Sequence, residues 1–160
     1  MTDATTDEVE LLTWPNGELV DAQSIEAYAD EARALAASPL DEQEIRTPDW
    51  VIGELAAVSR HAARMVLVIL NAETFKRRAA TRLARAKATA RVKHQGLPAA
   101  LATARIVLDT AAEQDEYDTA VAAFEYARRI GNLLKDYTGR VQSIGKQVEL
   151  TYNGTLRGRS

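Results

Sequence analysis

Apolar residues recur along most of the chain at helical spacing. Val51, Leu55, Val58, Ala62, Met65, Ile69 and Ala72 fall at alternating steps of four and three, and Phe75, Ala79, Leu83, Ala86 and Ala90 continue the stripe after one slip. Thr47-Pro48-Asp49 opens this run as a helix start, with a hydroxyl to cap, a proline where its missing N–H costs nothing, and an acid near the positive end of the dipole. No proline follows until Pro98. The pattern therefore predicts one helix of up to 48 residues, or two in line, closed by Gly96 as a C-cap glycine and Pro98 just beyond. A second helical stretch is expected from Pro98 through Ala112. Beyond the acids of residues 113–116, Tyr117, Val121, Phe124, Ala127, Ile130, Leu134, Tyr137, Val141, Ile144 and Val148 repeat with nearly regular 3,4 spacing. That is coiled-coil periodicity, and it marks Tyr117, Val121, Phe124, Ile130, Leu134, Tyr137, Val141, Ile144 and Val148 as an oligomerisation seam.

The N-terminal part is patterned differently. Residues 1–8 are polar and acidic, with nothing to bury, and are expected to be disordered. Asn16-Gly17 lies between apolar-bearing flanks, Leu11-Leu12 and Leu19-Val20, and predicts a small β-hairpin. Ser24 is placed to cap a helix over Ile25 to Ala37, which Ser38-Pro39 ends. The final residues 151–160 are small, polar and basic, and read as a loose tail.

The expected fold class is mainly α: a long-helix hairpin or small helical bundle with coiled-coil character, preceded by a small acidic β-hairpin plus helix. Three regions follow, an acidic N-terminal module at 1–46, a helical domain carrying the seam at 47–150, and a flexible basic tail at 151–160. Alanine removes little apolar area from water, so an alanine-rich seam also points to self-association.

Composition narrows the function. The chain has 160 residues, one ordinary domain, and no cysteine, which excludes a disulfide framework, a thiolate nucleophile and a cysteine-based zinc site. Its two histidines, His61 and His94, are far apart. The longest uncharged apolar run, Met65 to Leu70, is far short of a bilayer span, and the acidic N-terminus lacks signal-peptide character. The expectation is a cytoplasmic protein without a membrane partner.

Charge sorting carries more than the net −3. Residues 1–56 hold fourteen acids against Arg33 and Arg46, whereas residues 57–105 hold eleven bases against Glu73 alone; the remainder is near neutral. The densest stretch runs from Phe75 to Gln95, with eight cations and no acid: Lys76, Arg77, Arg78, Arg82, Arg85, Lys87, Arg91 and Lys93. Without acids for i,i+4 pairing these charges repel one another, and an anionic partner relieves that. Nucleic acid fits better than a membrane, because the only uncharged strip, Ala79, Leu83, Ala86 and Ala90, lacks the large apolar face of an interfacial helix. Phe75 is the only aromatic there, so phosphate contacts should dominate over base stacking.

Catalytic patterns are missing. Gly139 to Gln147 superficially matches a phosphate-binding loop, but it has five residues between glycines instead of four and Gln147 where Ser or Thr is needed, and it falls on the heptad seam. No Ser/His/Asp grouping, metal-ligand spacing or close carboxylate pair emerges. The expectation is a non-enzymatic protein without cofactor or metal.

The order of these features, an apolar helix running into the basic segment Lys76 to Lys93, a break at Gln95-Gly96-Leu97-Pro98, an alanine-rich helix, then Tyr117 to Val148 through Asp136-Tyr137-Thr138-Gly139-Arg140, resembles the UvsY-like recombination mediators of bacteriophages over residues 50–150. That resemblance implies a small helical protein that forms a ring-like oligomer, binds single-stranded DNA through its basic region and helps load a strand-exchange recombinase. The acidic residues 1–46 have no counterpart in it and could be a docking surface or a gate over the basic helix. The alternatives are a helical structural or adaptor protein, such as a virion or assembly component, and a small regulatory protein that binds a protein partner through its helical seam.

Overall fold

The computed structural model describes residues 11–38, 40 and 46–157, the last three by backbone alone. It is mainly helical: α1 (Ala22–Ala36), α2 (Pro48–Lys93), α3 (Ala99–Asp109) and α4 (Ala111–Arg157). The long helices α2 and α4 form an antiparallel hairpin about 70 Å long at 1.5 Å per residue, and α1 lies along one side of its proximal half.

The start of α2 follows the sequence signal. Thr47 is the N-cap, its hydroxyl accepting the Trp50 N–H at 3.2 Å, with Pro48 in the first turn. The helix then runs unbroken to Lys93. Its end departs from expectation: His94 is the C-cap, and among the described glycines only Gly17 has a positive φ, so Gly96 does not supply a left-handed cap. Backbone hydrogen bonds from His94 to Ala90 and from Leu97 to His94, with the His94 ring on Asp109, hold the turn without one.

At the N-terminus the expected β-hairpin is not formed, and no strand exists among the described residues. The chain does reverse at Asn16-Gly17, with Gly17 at φ 86°, but pairing is limited to one bridge between Thr13 and Leu19. The flanks are only a few residues long before α1 begins, too short for a two-stranded ladder to hold itself. Backbone hydrogen bonds from Trp14 to Glu18, from Gly17 to Trp14 and from Val20 to Leu12 close the turn, and side chains brace it. The Trp14 indole donates to Ser24 Oγ at 3.0 Å and its ring lies 4.5 Å from that of Tyr28, whose hydroxyl donates to Glu18 at 3.0 Å. Ser24 consequently is not the cap of α1. Asp21 is, accepting the Ser24 N–H at 2.7 Å, while Ser24 Oγ accepts the Asp21 N–H at 3.0 Å. The two residues form a capping box one turn earlier than expected.

One core unites these parts. Trp14, Ile25, Ala29 and Ala32 pack with Val58, Met65, Val68 and Ala72 of α2 and Ile130, Leu134, Tyr137 and Val141 of α4. Toward the tip the seam thins to Ala79, Leu83, Ala90 and Ala120. The central part of the 3,4 stripe of α4 is thus used inside the chain: Ile130, Leu134, Tyr137 and Val141 are buried in the core, Phe124 is half-buried against it, and Tyr117, Val121, Ile144 and Val148 are half-buried. Periodicity alone identified a helix-packing seam, and α1 and α2 of the same chain cover its central part.

Two further expectations change. Residues 151–157 continue α4 instead of forming a loose tail, and α3 breaks from α4 at Thr110, so the acids expected between helices begin α4. Gly139 to Gln147 lies within α4, without a strand-loop-helix context. Residues 1–10, including the segment expected to be disordered, and 158–160 lie outside the described residues.

Candidate nucleic-acid interface

All eight cations of the basic segment sit on the distal half of α2, and the hairpin brings acids to them that the sequence keeps distant. Arg82 forms a two-point ion pair with Glu116 on α4, its Nε donating at 3.1 Å and a terminal nitrogen donating to the other oxygen. Lys87 donates to Gln114 Oε1 at 3.1 Å. Lys93 pairs with Asp109 at the end of α3 at 2.7 Å, and His94 Nε2 lies 2.9 Å from the same oxygen. Hydrogen bonds from Lys93 and then His94 hold the Asp109 carboxyl below its ordinary range. Within α2, Arg77 pairs with Glu73 at 2.6 Å, and Lys76 stands 3.7 Å over the Phe124 ring. Arg78 and Arg85 also make contacts.

These cations therefore do not repel one another unrelieved: packing supplies acids from α3 and α4, and seven of the eight make contacts within the chain. A surplus still remains. Between residues 73 and 117, nine cations (the eight, with Arg105) meet five acids (Glu73, Asp109, Glu113, Asp115 and Glu116). Arg77, Arg85, Arg91, Lys93 and Arg105 are exposed, whereas Lys76, Arg78, Arg82 and Lys87 are half-buried. Phe75 is half-buried against the core, so no aromatic of the segment offers a free stacking face.

The acidic helix α1 lies at the other end. Its Glu31 pairs with Arg64, which also stacks over Tyr28, and its Asp30 accepts from Tyr126 and lies 3.7 Å from Arg33. These acids act on the proximal half of the hairpin. Acids at residues 1–10 and 41–45 lie outside the described residues.

Compared with models of protein families, with curated proteins and with solved structures, the chain has no match. The functional reading consequently stands on its own residues.

Three other features complete the surface. A groove of about 750 Å³ between α2 and α4 is lined by apolar groups such as Met65, Val66, Ile69 and Leu134, with Arg128 and Lys135 at its edge. Helix α3 buries none of its residues; Val107 is 63% and Leu108 68% exposed. Helix α2 also contains an 18-residue stretch of mean hydropathy 1.3, long and apolar enough to cross a membrane by length and composition, with 28% of it buried. The uninterrupted Met65 to Leu70 run does not reveal this stretch, because polar residues interrupt it. Among the described residues no group of three or more His, Asp or Glu side chains is placed to hold a metal ion. His61 is half-buried on α2 and His94 belongs to the Asp109 clasp.

Proposed function

We propose that the chain is a non-catalytic nucleic-acid-binding protein, acting in the cytoplasm as an oligomeric, single-stranded-DNA-binding accessory factor of bacteriophage recombination. The observation that carries the reading is the cationic surplus on the distal half of the hairpin, with Arg77, Arg85, Arg91 and Arg105 exposed there. The UvsY-like order of features adds the recombination context. Contacts to phosphate dominate, because the segment's one aromatic, Phe75, is half-buried and Gln95 is its one amide side chain. The phosphate-binding set centres on the exposed arginines, since Arg82 and Lys93 already hold carboxylates. The surface pair of Arg77 with Glu73 is worth little in water, and a phosphate competes for it readily.

The test is binding of a labelled oligothymidylate across a salt series. On a single strand log K falls by about 0.7 per phosphate contact per log unit of salt, so changing Arg77, Arg85 and Arg91 together to glutamine should flatten the slope by about two units. An unchanged slope, or no binding by the parent even at low salt, overturns the reading. The bare apolar face of α3 favours a second reading in that event, a helical adaptor that docks a protein partner through Leu101, Val107 and Leu108.

A further inference from the structure

A second apolar stripe runs along α2 on the side away from the core. Ile52, Ala56, Ser59, Ala63, Val66 and Leu70 step by 4, 3, 4, 3 and 4, and all six are exposed. At 100° per residue they lie within about 40° of one line, opposite Val58, Met65, Val68 and Ala72, which enter the core. The large members are well exposed, Ile52 at 65%, Val66 at 69% and Leu70 at 57%. None of the six is charged. This is coiled-coil spacing that no helix among the described residues covers.

We infer that this stripe is the contact between two copies of the chain, packed antiparallel about a two-fold axis between Ser59 and Ala63. The order of side-chain sizes argues for a second copy. With the axis there, Ile52 of one copy faces Leu70 of the other, Ala56 faces Val66, and Ser59 faces Ala63. Large residues meet at the ends or sit against alanine, and small ones at the centre let the helices approach. A two-fold contact requires a surface that is complementary to itself, and this order has that property. A polyanion has no cation to contact along the stripe. Arg60 flanks the axis and comes near its own counterpart, so salt strengthens the pairing by screening, whereas it weakens DNA binding. The inference gives a face and a register to the self-association assumed in the proposed function and rests on that part of it alone.

The chain has no cysteine, which makes disulfide trapping unambiguous. Full-length Ile52→Cys and Leu70→Cys proteins are oxidised mildly, separately and mixed. The cross-linked dimer should form in the mixture at least tenfold more than in either protein alone, because like positions are about 27 Å apart along the helices at 1.5 Å per residue. Val66→Glu, exposed and hence harmless to the fold, should keep the helical circular dichroism and raise the dimer dissociation constant at least tenfold in sedimentation. Efficient trapping of Ile52→Cys alone indicates a parallel pair and overturns the inference. So does a mixture no better than its components, the result expected if the stripe docks a lipid surface or another protein. So does a Val66→Glu protein that sediments like the parent. Oligothymidylate binding is measured on the same samples: binding without trapping overturns only this contact, and trapping without binding overturns only the DNA reading.

Discussion

Replacing Tyr137 by phenylalanine removes one oxygen atom from the middle of the helix pair. The Tyr137 side chain is 1% exposed, and its hydroxyl donates to Glu54 Oε1 at 2.6 Å. A hydrogen bond to a charged acceptor contributes roughly 1.5–3 kcal/mol, but half-exposed Glu54 regains water when the phenol is gone, so the expected cost near neutral pH is about 1 kcal/mol. Alkaline pH reverses the comparison. Burial, and then the Glu54 contact, push the phenol up to about 12 in the fold, while in the unfolded chain it ionises near 10. The unfolded state therefore releases its proton first. Stability from this group is intact below about pH 10 and falls by about 1.4 kcal/mol per pH unit until the folded phenol ionises too, a loss on the order of 2–3 kcal/mol. The phenylalanine variant has no such loss. Urea unfolding followed by circular dichroism should show the parent more stable at neutral pH and the two curves crossing near about pH 11. Other alkaline titrations affect both proteins equally. A constant offset between the curves up to that pH would refute the argument, because it would mean that Tyr137 ionises as easily in the fold as out of it.

Leu134→Asp buries an unpaired carboxylate at the packed centre of α2 and α4, a cost that rivals the roughly 5–15 kcal/mol stability of a whole domain. The variant should lose its helical circular dichroism; a folded monomer would mean that Leu134 belongs to an interface between chains. Asp109→Ala should accelerate amide exchange across α3 at neutral pH and leave the proximal half of α2 unchanged, because α3 buries no residue and the Lys93–Asp109–His94 clasp holds it. Asp109 is held below its ordinary range, so its contribution is present above the unfolded carboxylate pKa and lost as pH falls through the depressed folded value. The parent should match the variant only in acid; a pH-independent difference would count against the clasp.

Long-range periodicity made most of the fold legible. The Thr47-Pro48-Asp49 start, the uninterrupted α2 and the helical reading of residues 117–148 need only local chemistry and a 3.6-residue repeat. What failed was decided by contacts. Asn16-Gly17 turns the chain in any case, but whether strands form depends on what flanks it, and here the Trp14 contacts with Ser24 and Tyr28 replace a ladder. Ser24 carries the right side chain for a cap, and so does Asp21 three residues earlier. Only the reciprocal pair of hydrogen bonds decides between them. The 3,4 stripe of α4 is ambiguous in the same way, since an internal partner helix and an external one impose the same spacing.

The candidate site was half legible, and the missing half was a matter of register. Counting charges along the chain isolates eight cations because their partners are 16 to 34 residues away. Yet the contacts that tie α2 to α3 and α4 obey one rule: Arg82 with Glu116, Lys87 with Gln114, Lys93 with Asp109, Lys76 with Phe124, Ile69 with Gly131 and Tyr137 with Glu54 all lie symmetrically about residue 100, to within about five positions. The Gly96 to Pro98 break lies about three residues from that centre, so folding the sequence about residue 97 sets residues 113–116 opposite residues 78–81, within a turn of Arg82, before any coordinates exist. A basic run in a helical hairpin is thus measured against its reflection across the turn, and the charge left after that comparison is what a partner can use. Here the reflection occupies Arg82 and Lys93, while Arg77, Arg85, Arg91 and Arg105 are exposed, Arg77 beside Glu73 of its own helix and Arg85 with a contact of its own.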